Sequence, residues 1–522
     1  MQEHAASPGP AGVPGLGAVI ARNAAFTVAG RLFFLVGWAA VTPFMLSSLG
    51  PDRFAIWALF FALNGYFATF DLGIAQALLK FVAEFSARGD QRSIRGAMTL
   101  GALTYAALTL PMVAAFVLLQ GPILTAIHVP PALWAEAGFC LVGMAVALAA
   151  SNLVGVLTAV LNGFQRMDLT NRIQLVVTGL QLGGVIAVLS AGYGLRGLVA
   201  VAGVAAVLTG VLSWRELRRV APETRFDASA IDPAIRRRMF DYSAALQIIN
   251  FGTFFQFQLD KFLLAHFRGL TEVTPFELAY RLALAAWVVP MLVLPPIVPA
   301  VSHLGSLADR ERIARLYARA SRILAAISVP IGIFTIVSAP AMVTAWLGPG
   351  HGAAAVYLSA MAGFLMLTIL TGVGTMVCRG LGQPWVEAMY HGLGTVVHLG
   401  LSLWLVPRWG GSGVVVALLV SAVISVVWFL GRFHRQIGEP NGAWIREALG
   451  FPVLASLVAG AIVLAFTGGL PGIPAGRGAA LLEVARNGAV FAVVVTAAYI
   501  ALKVVTVEEL KSLRGRVASA RG

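Results

Sequence analysis

Apolar runs of about 20 residues, separated by short polar breaks, recur along the whole chain. A run of that length is what a helix needs to cross the hydrocarbon core of a bilayer. The runs are continuous and do not alternate every second residue, so the spanning elements are helices and not barrel strands. Composition agrees. Only 11% of the 522 residues are charged, 59% are hydrophobic and the mean hydropathy is +0.85. A soluble domain carries roughly 25% charge, so lipid must cover what polar side chains here cannot. The sequence therefore predicts an all-α polytopic membrane protein.

Fourteen spans are expected, at about 21–48, 54–83, 96–120, 132–161, 170–191, 195–214, 240–267, 274–303, 318–346, 352–377, 385–406, 411–431, 446–468 and 482–503. Turn chemistry separates them at Gly50-Pro51-Asp52, Gly121-Pro122, Gly348-Pro349-Gly350, Gly410-Gly411 and 469–476. An even count puts both termini on one side. With the N-terminus inside, 27 Lys and Arg fall on inner segments and 6 on outer ones. That split makes both termini cytoplasmic. It also accounts for the net charge of +14, so no nucleic-acid partner is expected. Cys140 and Cys378 lie inside apolar runs, which argues against a disulfide framework. Residues 1–19 lack a basic n-region and read as a disordered tail, not a cleavable signal.

The chain also looks internally repeated. Arg22-Asn23 has a counterpart at Phe240-Asp241, Asp90 at Asp309, and Asn162-Gly163-Phe164 at Arg379-Gly380-Leu381. The offsets are 218, 219 and 217. Matches near one offset, in chain order, predict two pseudo-symmetric six-helix bundles of like orientation, a transporter architecture. The bundles would be 20–219 and 240–438, joined by a basic cytoplasmic linker at 220–239. Two extra helices at 439–505 and a basic cytoplasmic tail at 506–522 would follow.

Charges at membrane depth cost about 2.5–3.5 kcal/mol each on insertion scales, so they mark function. In span 1, Asn23, Thr27, Arg31 and Trp38 share an arc of about 80°. In span 7, Gln247, Asn250, Phe254, Gln258 and Lys261 do the same. Two repeat-equivalent helices each present a polar, cationic stripe, expected to face a water-filled cavity; helix–helix glue is the competing reading. Glu277 and Arg281 are spaced to pair at i, i+4. Asp71, Asp260 and Glu277 are candidates for ion coupling. A cationic cavity suits an anionic ligand, because guanidinium matches phosphate oxygens. No metalloprotease, phosphate-loop, redox or nucleophile-elbow motif is present, and no outer loop is long enough for a catalytic domain, so no enzyme, metal or cofactor is expected.

Several segments together resemble one family. Leu49-Gly50-Pro51-Asp52-Arg53-Phe54-Ala55-Ile56-Trp57, then Asp71-Leu72-Gly73-Ile74 and Lys80-Phe81-Val82-Ala83-Glu84, are similar to the start of lipid-linked oligosaccharide flippases. These belong to the multidrug/oligosaccharidyl-lipid/polysaccharide exporter (MOP) superfamily. Leu161-Asn162-Gly163-Phe164-Gln165-Arg166, Gln258-Leu259-Asp260-Lys261-Phe262 and Ala279-Tyr280-Arg281-Leu282 resemble its later segments. The resemblance implies a cavity between two bundles, alternating access, and a polyprenyl-pyrophosphate-linked oligosaccharide moved to the outer leaflet of the bacterial inner membrane. Arg31 and Lys261 would meet the pyrophosphate or acidic sugars. Asn23, Gln247, Asn250, Gln258 and Arg281 would complete the substrate site. Membrane lipids and other polysaccharide-assembly proteins are the expected partners, and a monomer suffices because the repeat supplies both halves of the cavity. The alternatives are a cation-coupled antiporter of drugs or metabolites, and a membrane polymerase or ligase.

Overall fold

A computed structural model describes residues 33, 34, 36–69, 73–291, 293, 294, 297, 298, 301, 310–438, 441–467 and 473–501. All regular structure among them is helical. The helices are α1 (Val36–Leu49), α2 (Pro51–Thr69), α3 (Ile74–Ala87), α4 (Gln91–Leu118), α5 (Gln120–Ala126), α6 (Trp134–Gly163), α7 (Met167–Ser190), α8 (Gly194–Val220), α9 (Pro233–Arg268) and α10 (Leu270–Met291). After them come α11 (Arg310–Leu347), α12 (Gly352–Ile369), α13 (Gly372–Gly380), α14 (Pro384–Trp409), α15 (Gly411–Ile437), α16 (Phe451–Phe466) and α17 (Arg477–Ala501). Ten described helical segments are long and apolar enough to cross a membrane. The chain is a multi-pass membrane protein. The expected spans 1, 2, 7 and 8 are not among the ten. They hold the membrane-depth charges, and parts of spans 1, 2 and 8 lie outside the described residues.

Two expected spans are each two helices. Residues 54–83 divide between α2 and α3, with Gly73 at φ 69 capping the second. Residues 352–377 divide between α12 and α13 at Leu370 and Thr371. Gly121-Pro122, expected as a turn, lies inside α5. Pro122 sits in the first turn there, where its missing N–H leaves no helical bond unmade. The true turns carry positive φ at Gly50 (75), Gly269 (83) and Gly410 (58), a region open to glycine at no steric cost. At the opposite end of the bundle Asp90 caps α4 by accepting from the Ser93 hydroxyl and backbone N–H. Those bonds hold its carboxyl below the usual carboxylate range.

Packing repeats along with sequence. A Cβ on Gly163 would meet Val82 and the Leu79 carbonyl, and one on Gly380 would meet Val301 and the Val298 carbonyl. Gly143 abuts Val199 as Gly363 abuts Leu419. Asn162 accepts a bond from Thr170 across the α6–α7 turn, and Arg379 bonds Glu387 across the α13–α14 turn. In each case the second contact follows the first by 217 to 220 residues. Gly163→Val and Gly380→Val should therefore each lower stability by about 1–3 kcal/mol, since neither site has room. Thermal unfolding in detergent checks this, and unchanged midpoints would contradict it.

The two sets of helices meet at the end that carries the α1–α2 and α9–α10 turns. Thr274 donates to the Pro51 carbonyl (2.7 Å), Trp346 to the Ala39 carbonyl (2.7 Å), and His266 Nδ1 lies 2.7 Å from the Ala126 carbonyl. A shared core containing Trp38, Met45, Phe54, Trp57, Phe276 and Trp287 fills the space behind these bonds.

Candidate functional site

The α9–α10 hairpin sets the site. Lys261 lies seven residues before the end of α9, roughly 10 Å down its axis. Glu277 lies seven residues into α10, so the tight turn brings the two level. Lys261 Nζ is 2.6 Å from Glu277 Oε2, and Arg281 Nε donates to Glu277 Oε1 at 2.7 Å. Lys261 is 2% and Glu277 4% exposed. Arg281 reaches across to α1, where Nη1 donates to Thr42 Oγ1 at 3.1 Å, and Thr42 donates onward to the Trp38 carbonyl. The guanidinium lies over the Phe54 ring at 5.5 Å, and Lys261 over Tyr280 at 5.2 Å. A single carboxylate thus holds two cations in a dry setting, where the electrostatic interaction is strong.

The neighbouring Asp260 faces the other way. Its Oδ1 lies 2.9 Å from His398 Nε2 on α14, and both side chains are buried. A cavity of about 20 Å³ adjoins Asp260, Tyr280 and Phe364, room for about one water. Taken together, Lys261, Arg281, Glu277 and Asp260 balance to zero charge when His398 is neutral. One proton taken up by the Asp260–His398 pair leaves the group at +1.

The sequence-derived candidates divide in two. Lys261, Arg281, Glu277 and Asp260 come together in this cluster, with Lys261 closed onto Glu277. Arg31, Asn23 and Asp71 lie outside the described residues. Gln247, Asn250 and Gln258 lie on α9, their side chains outside the described set. Sequence reasoning missed His398 and Thr42, which join the site from 138 and 239 residues away. It also missed Trp57 and Trp287. With Trp38 they are buried indoles whose N–H groups find no acceptor among the described residues. Buried donors of that kind are uncommon and can serve a ligand.

Residues 134–356 match a family model described as polysaccharide biosynthesis protein. No curated protein matches the chain by sequence. Among solved structures, the lipid II flippase MurJ in an inward closed conformation aligns with a TM-score of 0.69 and 12% identity, over 92% of this chain and 98% of that one. An inward-facing multidrug resistance MATE family transporter of the MOP superfamily gives 0.64 at 15% identity, over 78% and 95%. An outward-facing one gives 0.57 at 15%, over 82% and 100%. The chain has the fold of MOP-superfamily transporters, and these neighbours are a flippase and transporters, not enzymes.

Proposed function

We propose that the protein flips a polyprenyl-pyrophosphate-linked oligosaccharide from the cytoplasmic to the outer leaflet of the bacterial inner membrane by alternating access. The observation that carries this reading is the Lys261–Glu277–Arg281 cluster. It is an anion site already filled by the protein's own carboxylate, set where α9 and α10 meet α1. The MOP fold and the polysaccharide family match support a lipid-linked glycan as the cargo.

Two six-helix bundles, 20–219 and 240–438, form the moving parts, and 439–505 adds two helices. Both termini lie in the cytoplasm, so the α1–α2 and α9–α10 turns face outward. The contacts between bundles at that end seal the outer side. A pyrophosphate entering from the cytoplasm meets Arg31 and competes with Glu277 for Lys261 and Arg281. Guanidinium and ammonium groups released from Glu277 bind phosphate oxygens through charge-assisted bonds. Freeing Arg281 from its internal partner also loosens its tie to Thr42, which fastens the outer side.

Asp260 and His398 serve as the coupling site. Proton uptake there adds a positive charge beside the cation pair, which favours an incoming anion. Wild-type flipping should therefore respond to a transmembrane pH gradient, while Asp260→Asn and His398→Gln should flip at a gradient-independent rate. A fluorescent glycolipid accessibility assay in liposomes measures both, and an unchanged gradient response in either variant would remove this pair from the mechanism. The same buried pair favours the second reading, a cation-coupled antiporter of drugs or metabolites. Substrate-driven proton flux in liposomes without glycolipid would select it.

The experiment that tests the function is reconstitution with a polyprenyl-pyrophosphate oligosaccharide. Protein-dependent transfer of the glycan to the opposite face supports the flippase. A folded sample that moves none of several glycans refutes it.

A further inference from the structure

A second site lies at the outer end, apart from the central cluster. The α1–α2 turn, the first turn of α6 and the α7–α8 turn border an open pocket of about 570 Å³, within the range of small-molecule sites. Ser48, Arg53, Glu136, Tyr193 and Arg196 line it. Arg53 holds Glu136 through two bonds, Nε to Oε2 at 2.7 Å and Nη2 to Oε1 at 3.0 Å. The Arg196 guanidinium rests over the Phe139 ring at 5.9 Å and forms no ion pair among the described residues. Tyr193 is 66% exposed and stands between Gly192 (φ 81) and Gly194 (φ 52). Those two glycines give the turn a shape other residues resist.

The internal repeat shows what this place does when it is only structural. The α7–α8 turn at Gly192 corresponds to the α14–α15 turn at Gly410, 218 residues on. In the second bundle Tyr357 of α12 donates to Glu272 in the first turn of α10 at 2.6 Å. Its phenol oxygen lies so close to Gly411 that a Cβ there would collide with it. An aromatic side chain thus packs the second bundle shut. The first bundle has Arg53 and Glu136 at the corresponding helix starts, and its space stays open.

We propose that this cavity binds a saccharide carrying a carboxylate or phosphate group. Sugar hydroxyls both donate and accept. Glu136 accepts, Arg53 and Ser48 donate, and the Tyr193 ring offers a face for a sugar ring. Arg196, a second cation beside Glu136 after Arg53, leaves the pocket one positive charge in excess for the acidic group. A bare phosphate or a phospholipid headgroup could meet Arg196 but carries no ring to lie on the exposed Tyr193 face. The position on the outer face rests on the orientation proposed above, and the site would then hold the glycan after it has crossed.

The test uses the full chain in nanodiscs and digalacturonate as probe, with lactose as the neutral comparison, read by calorimetry and saturation-transfer NMR. Digalacturonate should bind more tightly than lactose. Arg196→Gln and Tyr193→Ala, both at exposed positions, should each weaken it at least about tenfold, the loss of one charge-assisted or ring contact. Arg408→Gln, an exposed cation outside both sites, should bind it as the wild type does. Equal binding by Arg196→Gln, or no saccharide binding, overturns the proposal. Loss in Arg408→Gln would make the binding a general effect of surface charge and also overturn it. Displacement by phosphatidylglycerol in the nanodisc would make the cavity a lipid-headgroup site instead. None of these readings needs transport, so failure of the flippase reading would leave them standing.

Discussion

Proteoliposomes of Arg31→Ala or Lys261→Ala should insert and purify, yet move no glycolipid above background. Each charge-assisted bond to a phosphate is worth about 1.5–3 kcal/mol. Losing one from the crossing step slows it by about 10- to 150-fold, and losing two by about the square of that. Arg31 is the sharper test. It lies outside the described residues, but its place on the span 1 stripe comes from the sequence, and span 1 repeats the position of the Lys261 helix. Normal export by both variants would remove the cationic mechanism and shift attention to the buried carboxylates.

Glu277→Gln should be the most destabilising single change in the central cluster. It leaves Lys261 and Arg281 buried together without a counter-charge, and breaking such an arrangement costs about 3–5 kcal/mol. Unfolding in detergent should show a large drop in midpoint. The double variant Glu277→Gln/Lys261→Met should recover most of the loss, because Arg281 and Asp260 then balance. Flipping should stay absent in the double variant. Recovered stability with recovered transport would make the cluster helix–helix glue. An unperturbed Glu277→Gln would mean that the ion pairs carry no weight in the fold.

Much of the fold was legible because lipid imposes a simple rule on sequence. Fully hydrogen-bonded apolar helices are what cross the bilayer, and the long apolar runs fall where the helices are. Helix breaks inside spans were not legible. Gly73 looks like any other glycine of a membrane helix, and only its left-handed φ shows that α2 and α3 part there. The pairing of Glu277 with Arg281 was readable from i, i+4 spacing. The Lys261–Glu277 contact needed the Gly269 turn as well. His398 gave no signal, because nothing local marks a histidine of an apolar helix as the partner of a carboxylate 138 residues earlier. Thr42 was equally silent, since a membrane threonine ordinarily bonds its own helix, as this one also does. The outer cavity went unread because a void follows from what neighbouring helices fail to fill.

The hairpin geometry has a consequence for biosynthesis. Lys261 leaves the ribosome 16 residues ahead of Glu277, and alone it would bring an unpaired ammonium to the translocon. With Glu277 and Arg281 alongside, the two helices can share the penalty and enter the bilayer together. Nascent chains truncated between the two helices should therefore linger at the insertion machinery, and those extended past Arg281 should partition into lipid. Assembly of the second half would begin as the release of a preformed pair of helices.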